Sequence, residues 1–295
     1  MGWPGHLEKN WLAYDGDRAV GELNVSLPQR DNLENAWIEL RVLPEFRRRG
    51  IGRALYAHAV EYTRAAGRSR LMADTLEAIE AIDGGPRVDP AGSAFAAAMG
   101  LARALREVRR KLYLSTVDHA ALDALLAEAW THAEGYSLVR WTDRCPDDCV
   151  ADVAYLEGRL NTDAPMEDLA WGKEDVDADL IRQVERNREV MKTRAFFTAV
   201  RHDASGRVVA LTGMIIEHGV PEHAWQGITL VDPPHRGHRL GTIVKIENLR
   251  LILAAEPALT AIDTGNAAVN DHMIAINHAM GFRPMDYMVD WQVDL

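Results

Sequence analysis

Cysteine is scarce in this chain: Cys145 and Cys149 are the only two among 295 residues. Four positions apart, they make a poor disulfide framework, and they lack the further Cys or His spacing of a zinc site. They read as incidental thiols of a cytoplasmic protein, and no metal is expected. No apolar run approaches the ~18 residues needed to cross a bilayer, so no membrane span is expected. The first ten residues, MGWPGHLEKN, lack the basic-then-apolar pattern of a secretory signal. Basic charge is in the minority, with 33 Lys and Arg against 44 Asp and Glu, a formal net charge of −11. Nonspecific nucleic-acid binding comes from phosphate neutralisation, so that partner class is set aside. The same acidity is compatible with a cationic acceptor such as an amine.

What is present is enough apolar material, 47% of residues, for two domains with separate cores. Strand patterns occur at Trp11–Tyr14, Val20–Leu27 and Ala36–Leu43, followed by PEFRRRGIG and a helix over Arg53–Ala66 ended by Gly67. A strand at Leu71–Thr75, a loop around Gly84-Gly85-Pro86, a short helix over Ser93–Met99 and two closing strands by Ser115 complete a first half. A linker helix over Thr116–Glu134 has a cap at Ser115 or Thr116. The second half offers a strand at Tyr136–Trp141 and helices near Val150–Leu160 and Asp175–Lys192. A hairpin follows (Phe196–Val200 and Val208–Ile216), then a strand at Ala224–Val231, a turn and a helix over His238–Leu253. A short strand at Ala261–Thr264, a helix over Val269–Met280 and a last strand at Met285–Val293 end it.

The two halves repeat one another. VLPEFRRRGIGRAL (42–55) aligns with VDPPHRGHRLGTIV (231–244), and Ala98-Met99-Gly100-Leu101 with Ala279-Met280-Gly281-Phe282. A strand, an Arg/Gly-rich turn and a helix make an anion-binding device. The first helical turn has free N–H groups, the macrodipole adds positive charge, and glycine lets phosphate oxygens approach the backbone.

Arg47-Arg48-Arg49-Gly50-Ile51-Gly52 fits R-x-x-G-x-G throughout. It resembles the pyrophosphate loop of the GNAT superfamily of acyl-CoA-dependent acetyltransferases, and the order of surrounding elements matches that family over nearly the whole chain, in two copies. Tandem copies of this kind are similar to mycothiol synthase and other actinobacterial two-domain acetyltransferases. The resemblance implies tandem α/β (α+β) folds, each a mixed, mostly antiparallel sheet with splayed central strands. The expected limits are residues 1–115, 116–135 for the linker helix, and 136–295. It also implies that the first copy lacks the family's first strand and two helices, either by loss or because the chain as given starts late.

The implied activity is acetyl-CoA-dependent N-acetylation of a small-molecule primary amine, by a monomer or homodimer. Alternatives are an acetyl-CoA-binding protein without transferase activity and a protein or peptide N-acetyltransferase. The coenzyme would contact Val42, Arg47, Arg48, Arg49, Gly50, Ile51, Gly52 and Arg53. In the second copy the matching positions are Val231, Arg236, Gly237, His238, Arg239, Leu240 and Gly241. There Arg239 replaces the first glycine of the motif, and Gly237 restores backbone access two positions earlier.

Family members commonly carry an Asn that opens the later helix and a Tyr near its end that protonates the leaving thiolate. Asn270 fits the first position and equally fits a helix cap. Asn277 stands at the Tyr position and Ala96 at its counterpart in the first half. The thiolate leaves from an acid with a pKa near ~8.5, so this loss slows transfer without abolishing it. Candidates for the proton acceptor lie on or beside the splayed strands: Glu39 in the first half, and Gln226, Glu222 and His223 in the second. Glu39 also fits a solvent-facing strand position. Only the second half has the two helices of an acceptor wall, so transfer is expected there, near Gln226 and Asn277.

Overall fold

The computed structural model describes residues 4–80 and 88–295, so the expected Gly84-Gly85-Pro86 loop lies outside the described residues. The strands are β1 (His6–Asp15), β2 (Arg18–Pro28), β3 (Asn35–Val42), β4 (Arg70–Ala78), β5 (Ala102–Tyr113) and β6 (Tyr136–Thr142). β7 (Arg194–His202), β8 (Arg207–Ile216), β9 (His223–Val231), β10 (Ala261–Ala267) and β11 (Arg283–Asp294) follow. The helices are α1 (Ile51–Ala65), α2 (Ala91–Ala98), α3 (His119–Trp130), α4 (Val150–Glu157), α5 (Leu160–Asp163), α6 (Ala178–Met191), α7 (Leu240–Ala255) and α8 (Asp271–Ala279). None is long and apolar enough to cross a membrane.

The chain divides into two compact units. The first comprises Met1–Glu107, Met166–Glu174 and Asp286–Leu295; the second comprises Val108–Pro165 and Asp175–Met285. These limits differ from a cut at 115 and 136. The single strand β5, found where two strands were expected, starts in the first unit and ends in the second. The segment read as a linker helix is α3, capped by Asp118 rather than Ser115 or Thr116. Its Leu122, Leu126 and Ala129 are buried in the core of the second unit.

In the first unit the strand order is β1-β2-β3-β4-β11. β1–β2–β3 is an antiparallel meander, β3 pairs parallel with β4, and β4 pairs antiparallel with β11 from Asp286↔Ala78 to Asp294↔Arg70. The last strand of the chain therefore completes the first unit's sheet. β2 alternates, burying Val20, Leu23, Val25 and Leu27 and leaving Glu22, Asn24 and Ser26 on the other side. That period-2 pattern marks a sheet with one covered face. α1 and α2 cover it, forming a core with Ile38, Leu71, Val289 and Trp291.

On the opposite face the described residues of this unit include no helix. The extended segment 166–174 crosses it instead. Asp168 N–H donates to the Ala104 carbonyl (2.9 Å), Ala170 N–H to Gln292 Oε1 (2.9 Å) and Gly172 N–H to Asn32 Oδ1 (2.7 Å).

The second unit orders its strands β10-β9-β8-β7-β6, with the end of β5 beside β10. β7 and β8 are buried almost throughout, as expected for strands covered on both faces. One core joins α3 and α7 to Phe196, Met214 and Ile262; the other joins α4 to Trp141, Phe197 and Leu230.

Candidate active site

The two Arg/Gly loops share one backbone course. In each, the strand ends in a Pro-initiated 3-10 turn (Pro44–Phe46, Pro233–His235), and the next arginine donates its Nε–H back to the strand. Arg47 donates to the Val42 carbonyl at 3.1 Å, and Arg236 to the Val231 carbonyl at 3.2 Å. Two left-handed residues follow: Arg48 (φ 63°) and Gly50 (φ 88°) in the first loop, Gly237 (φ 88°) and Arg239 (φ 57°) in the second. Glycine and arginine have exchanged places between equivalent positions. The shape survives because each loop has glycine at one of its two strained positions. Ile51 and Leu240 then open α1 and α7, so both loops present helix N-termini.

Beside each loop two parallel strands separate. β3 pairs with β4 only over Asn35–Trp37, leaving Ile38–Val42 free on that side. β9 pairs with β10 only over His223–Gln226, leaving Gly227–Val231 free. β9 also carries a bulge at Gly227-Ile228, where its register with β8 shifts. β3 pairs with β2 without interruption from Trp37 to Val42.

In the first unit this geometry encloses space. A cavity of about 880 Å³ runs from Arg47, Arg48, Gly50 and Arg53 along Leu40–Val42 to Phe95 on α2. Arg47 is ion-paired with Asp89, whereas Arg48 and Arg53 make no ion pair among the described residues. Gly50 has open space where a Cβ would stand. A second cavity, of about 570 Å³, lies on the helix-free face and is lined by Glu8, Glu22, Glu39, Arg41, Trp37 and Trp171 among others. Leu12, Glu22 and Arg41 line both cavities, so the two adjoin.

The charges of the second cavity are unbalanced. Arg41 is shared between Glu22 (2.7 Å) and Glu39 (2.8 Å). Glu8 receives hydrogen bonds from Ser26 (2.7 Å) and Asn24 (2.9 Å). His6 Nδ1 is 2.9 Å from Ser26 Oγ, and burial lowers its pKa. Trp37 and Trp171 meet edge to face with centroids 6.1 Å apart.

In the second unit, polar side chains near the parting strands bond one another. Gln226 is 1% exposed and occupied at both ends: its Nε2 donates to Thr212 Oγ1 (3.1 Å) and its Oε1 accepts from Lys245 Nζ (2.6 Å). Lys245, on α7, is 1% exposed, and burial pulls its pKa down to about 7. Asn277 is fully buried, donating to Asn266 Oδ1 (3.2 Å), which also accepts from Arg110 (2.7 Å). Asn270 caps α8 by accepting from the Met273 N–H (3.2 Å).

The cations of the second loop are engaged by protein. Arg236 pairs with Asp163 (3.2 Å), Arg239 lies 3.8 Å from Glu128, and His238 Nδ1 bonds the His132 carbonyl (3.0 Å). His223 pairs with Asp263 (3.1 Å). The helices α4 and α6, expected as an acceptor wall, pack in the second unit, yet Gln226 is bonded at both ends and Asn277 donates inward to Asn266, its own Oδ1 having no partner among the described residues.

Of the expected residues, the structure gathers Val42, Arg47, Arg48, Gly50, Gly52 and Arg53 around the larger cavity and Glu39 at the smaller one. Arg49 turns away, stacking on Phe46 at 4.8 Å and lying 3.9 Å from Asp15. Sequence reasoning missed Glu8, Trp37, Asp74 and Trp171. Glu8 belongs to the unread start of β1, whose alternation HLEKNW carries a signal. Trp171 lies 134 positions from Trp37 in sequence, with no local signal linking them.

The model of the acetyltransferase (GNAT) family matches residues 3–81. No curated protein matches the chain. A solved tandem GNAT protein from the clavulanic acid biosynthesis pathway, without acetyl-CoA, is 35% identical with a TM-score of 0.81; the match covers 100% of this chain and 85% of that one. A GCN5-related N-acetyltransferase from Sphaerobacter thermophilus shares the fold at 11% identity and TM-score 0.60, over 95% of this chain and 78% of that one. So does a glucosamine N-acetyltransferase region of a fungal multi-domain β-N-acetylglucosaminidase, at 14% identity and TM-score 0.68, over 97% of this chain and 33% of that one. With its paired splayed strands, its two loops of one shape and these similarities, the chain belongs to the GNAT family of acetyltransferases.

Proposed function

We propose that the chain is an acetyl-CoA-dependent N-acetyltransferase of small-molecule primary amines, and that its first unit performs the transfer. The observation that carries this reading is the adjoining pair of cavities at Leu12, Glu22 and Arg41, one beside the Arg47–Gly52 loop and one on the acidic face.

The residues present fit acetyl-CoA. The free N–H groups at the start of α1, with Arg48 and Arg53 forming no ion pair among the described residues, suit a pyrophosphate. The unpaired side of β3 over Ile38–Val42 offers backbone groups to an extended amide-bearing arm. The gap between β3 and β4 leads from that groove toward the acidic face. No group of three or more potential metal ligands occurs among the described residues.

The chain's own residues then have separable tasks. The loop fixes the diphosphate, β3 aligns the arm, and Trp37 and Trp171 wall the acceptor. The carboxylates of the face attract an ammonium group and raise its local concentration. Ala96 stands where the family commonly places a protonating Tyr, so departure of the thiolate relies on its own low basicity. The second unit, with Lys245 and Gln226 across its slot, serves as scaffold in this reading.

The test is incubation of the purified chain with acetyl-CoA and a panel of mono- and polyamines, followed by mass spectrometry. An acetylated amine, formed only with the chain present, is expected. Coenzyme binding without any acetylated product would leave a binding protein. Acetylation of peptide amines in preference to small amines would move the acceptor to the peptide class.

A further inference from the structure

We propose that Asp74 is the catalytic base of the transfer, taking the proton from an acceptor ammonium at the mouth of the β3–β4 gap. The inference rests on the reading of the first unit given above.

The placement follows from register. Trp37 on β3 opposes Met72 on β4 in the last pair before the strands part. Two residues further along each strand, on the same face, come Glu39 and Asp74. These two carboxylates therefore stand on the two strands that part there. Glu39 is tied to Arg41 at 2.8 Å, so its Oε2 is already engaged. Asp74 forms no ion pair among the described residues.

The surroundings of Asp74 favour its protonation. Glu39 and Arg41 face it from β3. From β11, Asp290 lies directly opposite in register, and Glu107 adds a further carboxylate from β5. Among the described residues Arg41 is the cation that opposes the Asp74 charge, and Glu22 and Glu39 hold it. Asp74 is an exposed residue of β4. Partial desolvation, with the Glu39 charge, lifts its carboxyl above the ordinary range. Asp290, 6% exposed, is pushed up to about 7 by burial and then by Glu107 and Asp74. A proton arriving on Asp74 relieves its repulsion with Glu39, so this carboxylate is a better base than an isolated one.

The step balances. The ammonium R–NH₃⁺ gives one proton to the Asp74 carboxylate, and the freed lone pair forms a C–N bond to the thioester carbonyl carbon. The C–S bond breaks, the sulfur takes the electron pair, and a second nitrogen proton neutralises the thiolate. Asp74 returns its proton to solvent. The products are the acetamide, the free thiol and one released proton.

Asp74→Asn tests this, because the amide keeps the size and shape of the carboxylate while the basicity is lost. At pH 7, kcat/KM for an alkylamine should fall roughly 100-fold or more, with acetyl-CoA affinity by calorimetry and melting temperature near wild type. The wild-type rate should rise with pH through a single limb and level off. The variant's rate should instead climb about tenfold per pH unit toward the amine's own pKa, following the free-amine fraction. Hydroxylamine, already neutral at pH 7, should lose little. Asp74→Glu should retain the wild-type limb at reduced rate. Equal loss with hydroxylamine and alkylamine, or an unchanged pH profile, overturns the assignment and leaves the acetyltransferase reading standing. No transfer to any amine by the wild type overturns both.

Discussion

The second unit buries both faces of its sheet, with α3 and α7 on one side and α4 on the other. The first buries only the face beneath α1 and α2 and leaves Glu8, Glu22, Glu39 and Trp37 along a cavity on the other. Both have the same loop course and the same parting of parallel strands. What differs is the filling. One slot opens between an Arg-lined groove and an acidic pocket, whereas the other is crossed by Lys245 and Gln226. A duplicated fold thus separates two demands that conflict in a single copy. A complete two-sided core gives stability, and an uncovered face gives access. The unit with the poorer motif and the fuller core is the one whose polar side chains are spent on each other.

Gly50→Val should have the largest effect. A branched Cβ at φ 88° is strained and crowds the anion approach, so acetyl-CoA affinity should drop about 100-fold in calorimetry. Gly237→Val strains the second loop equally but should leave coenzyme affinity and turnover within about twofold of wild type. Equal losses from the two changes would break the comparison.

Lys245→Met should remove a pH dependence of folding. Between about pH 7 and pH 10.5 the unfolded lysine holds a proton that the folded one has lost, so wild-type stability rises with pH across that window. Melting curves at pH 7 and 10 should show the variant lacking this gain, on the order of 2 kcal/mol. A wild type as stable at pH 7 as at pH 10 would mean that the slot is not sealed.

Trp171→Ala should raise the acceptor KM about tenfold, or ~1.4 kcal/mol, through loss of an aromatic wall. The coenzyme KM should hold steady, and a change in both would blur the division between the two cavities. Asp290→Asn should have the smallest effect. The folded carboxyl holds its proton up to about pH 7 and the unfolded one only to about pH 4, so wild-type stability falls as pH rises through that window. Above pH 7 the variant should be more stable than wild type by about 1 kcal/mol; below pH 4 the two should converge.

Local pattern determined much of this protein. The Arg/Gly loops, the strands before them and the helices after them were legible because a helix entry, a left-handed glycine and a 3.6- or 2-residue period are written within a few residues of chain. The repeat of 42–55 at 231–244 revealed the tandem fold, and the resemblance to the GNAT family implied the splayed strands. Tertiary structure alone decided that β11 completes the first unit beside β4, that residues 166–174 cross the helix-free face, and that Asp74 stands across the parting strands from Glu39. It also decided that Gln226 and Asn277 turn inward to Lys245 and Asn266. Alternation tells which residues share a face of a strand. It carries no information about which distant strand pairs with it, because that choice rests on hydrogen bonds and burial between segments that, for β4 and β11, lie over 200 residues apart.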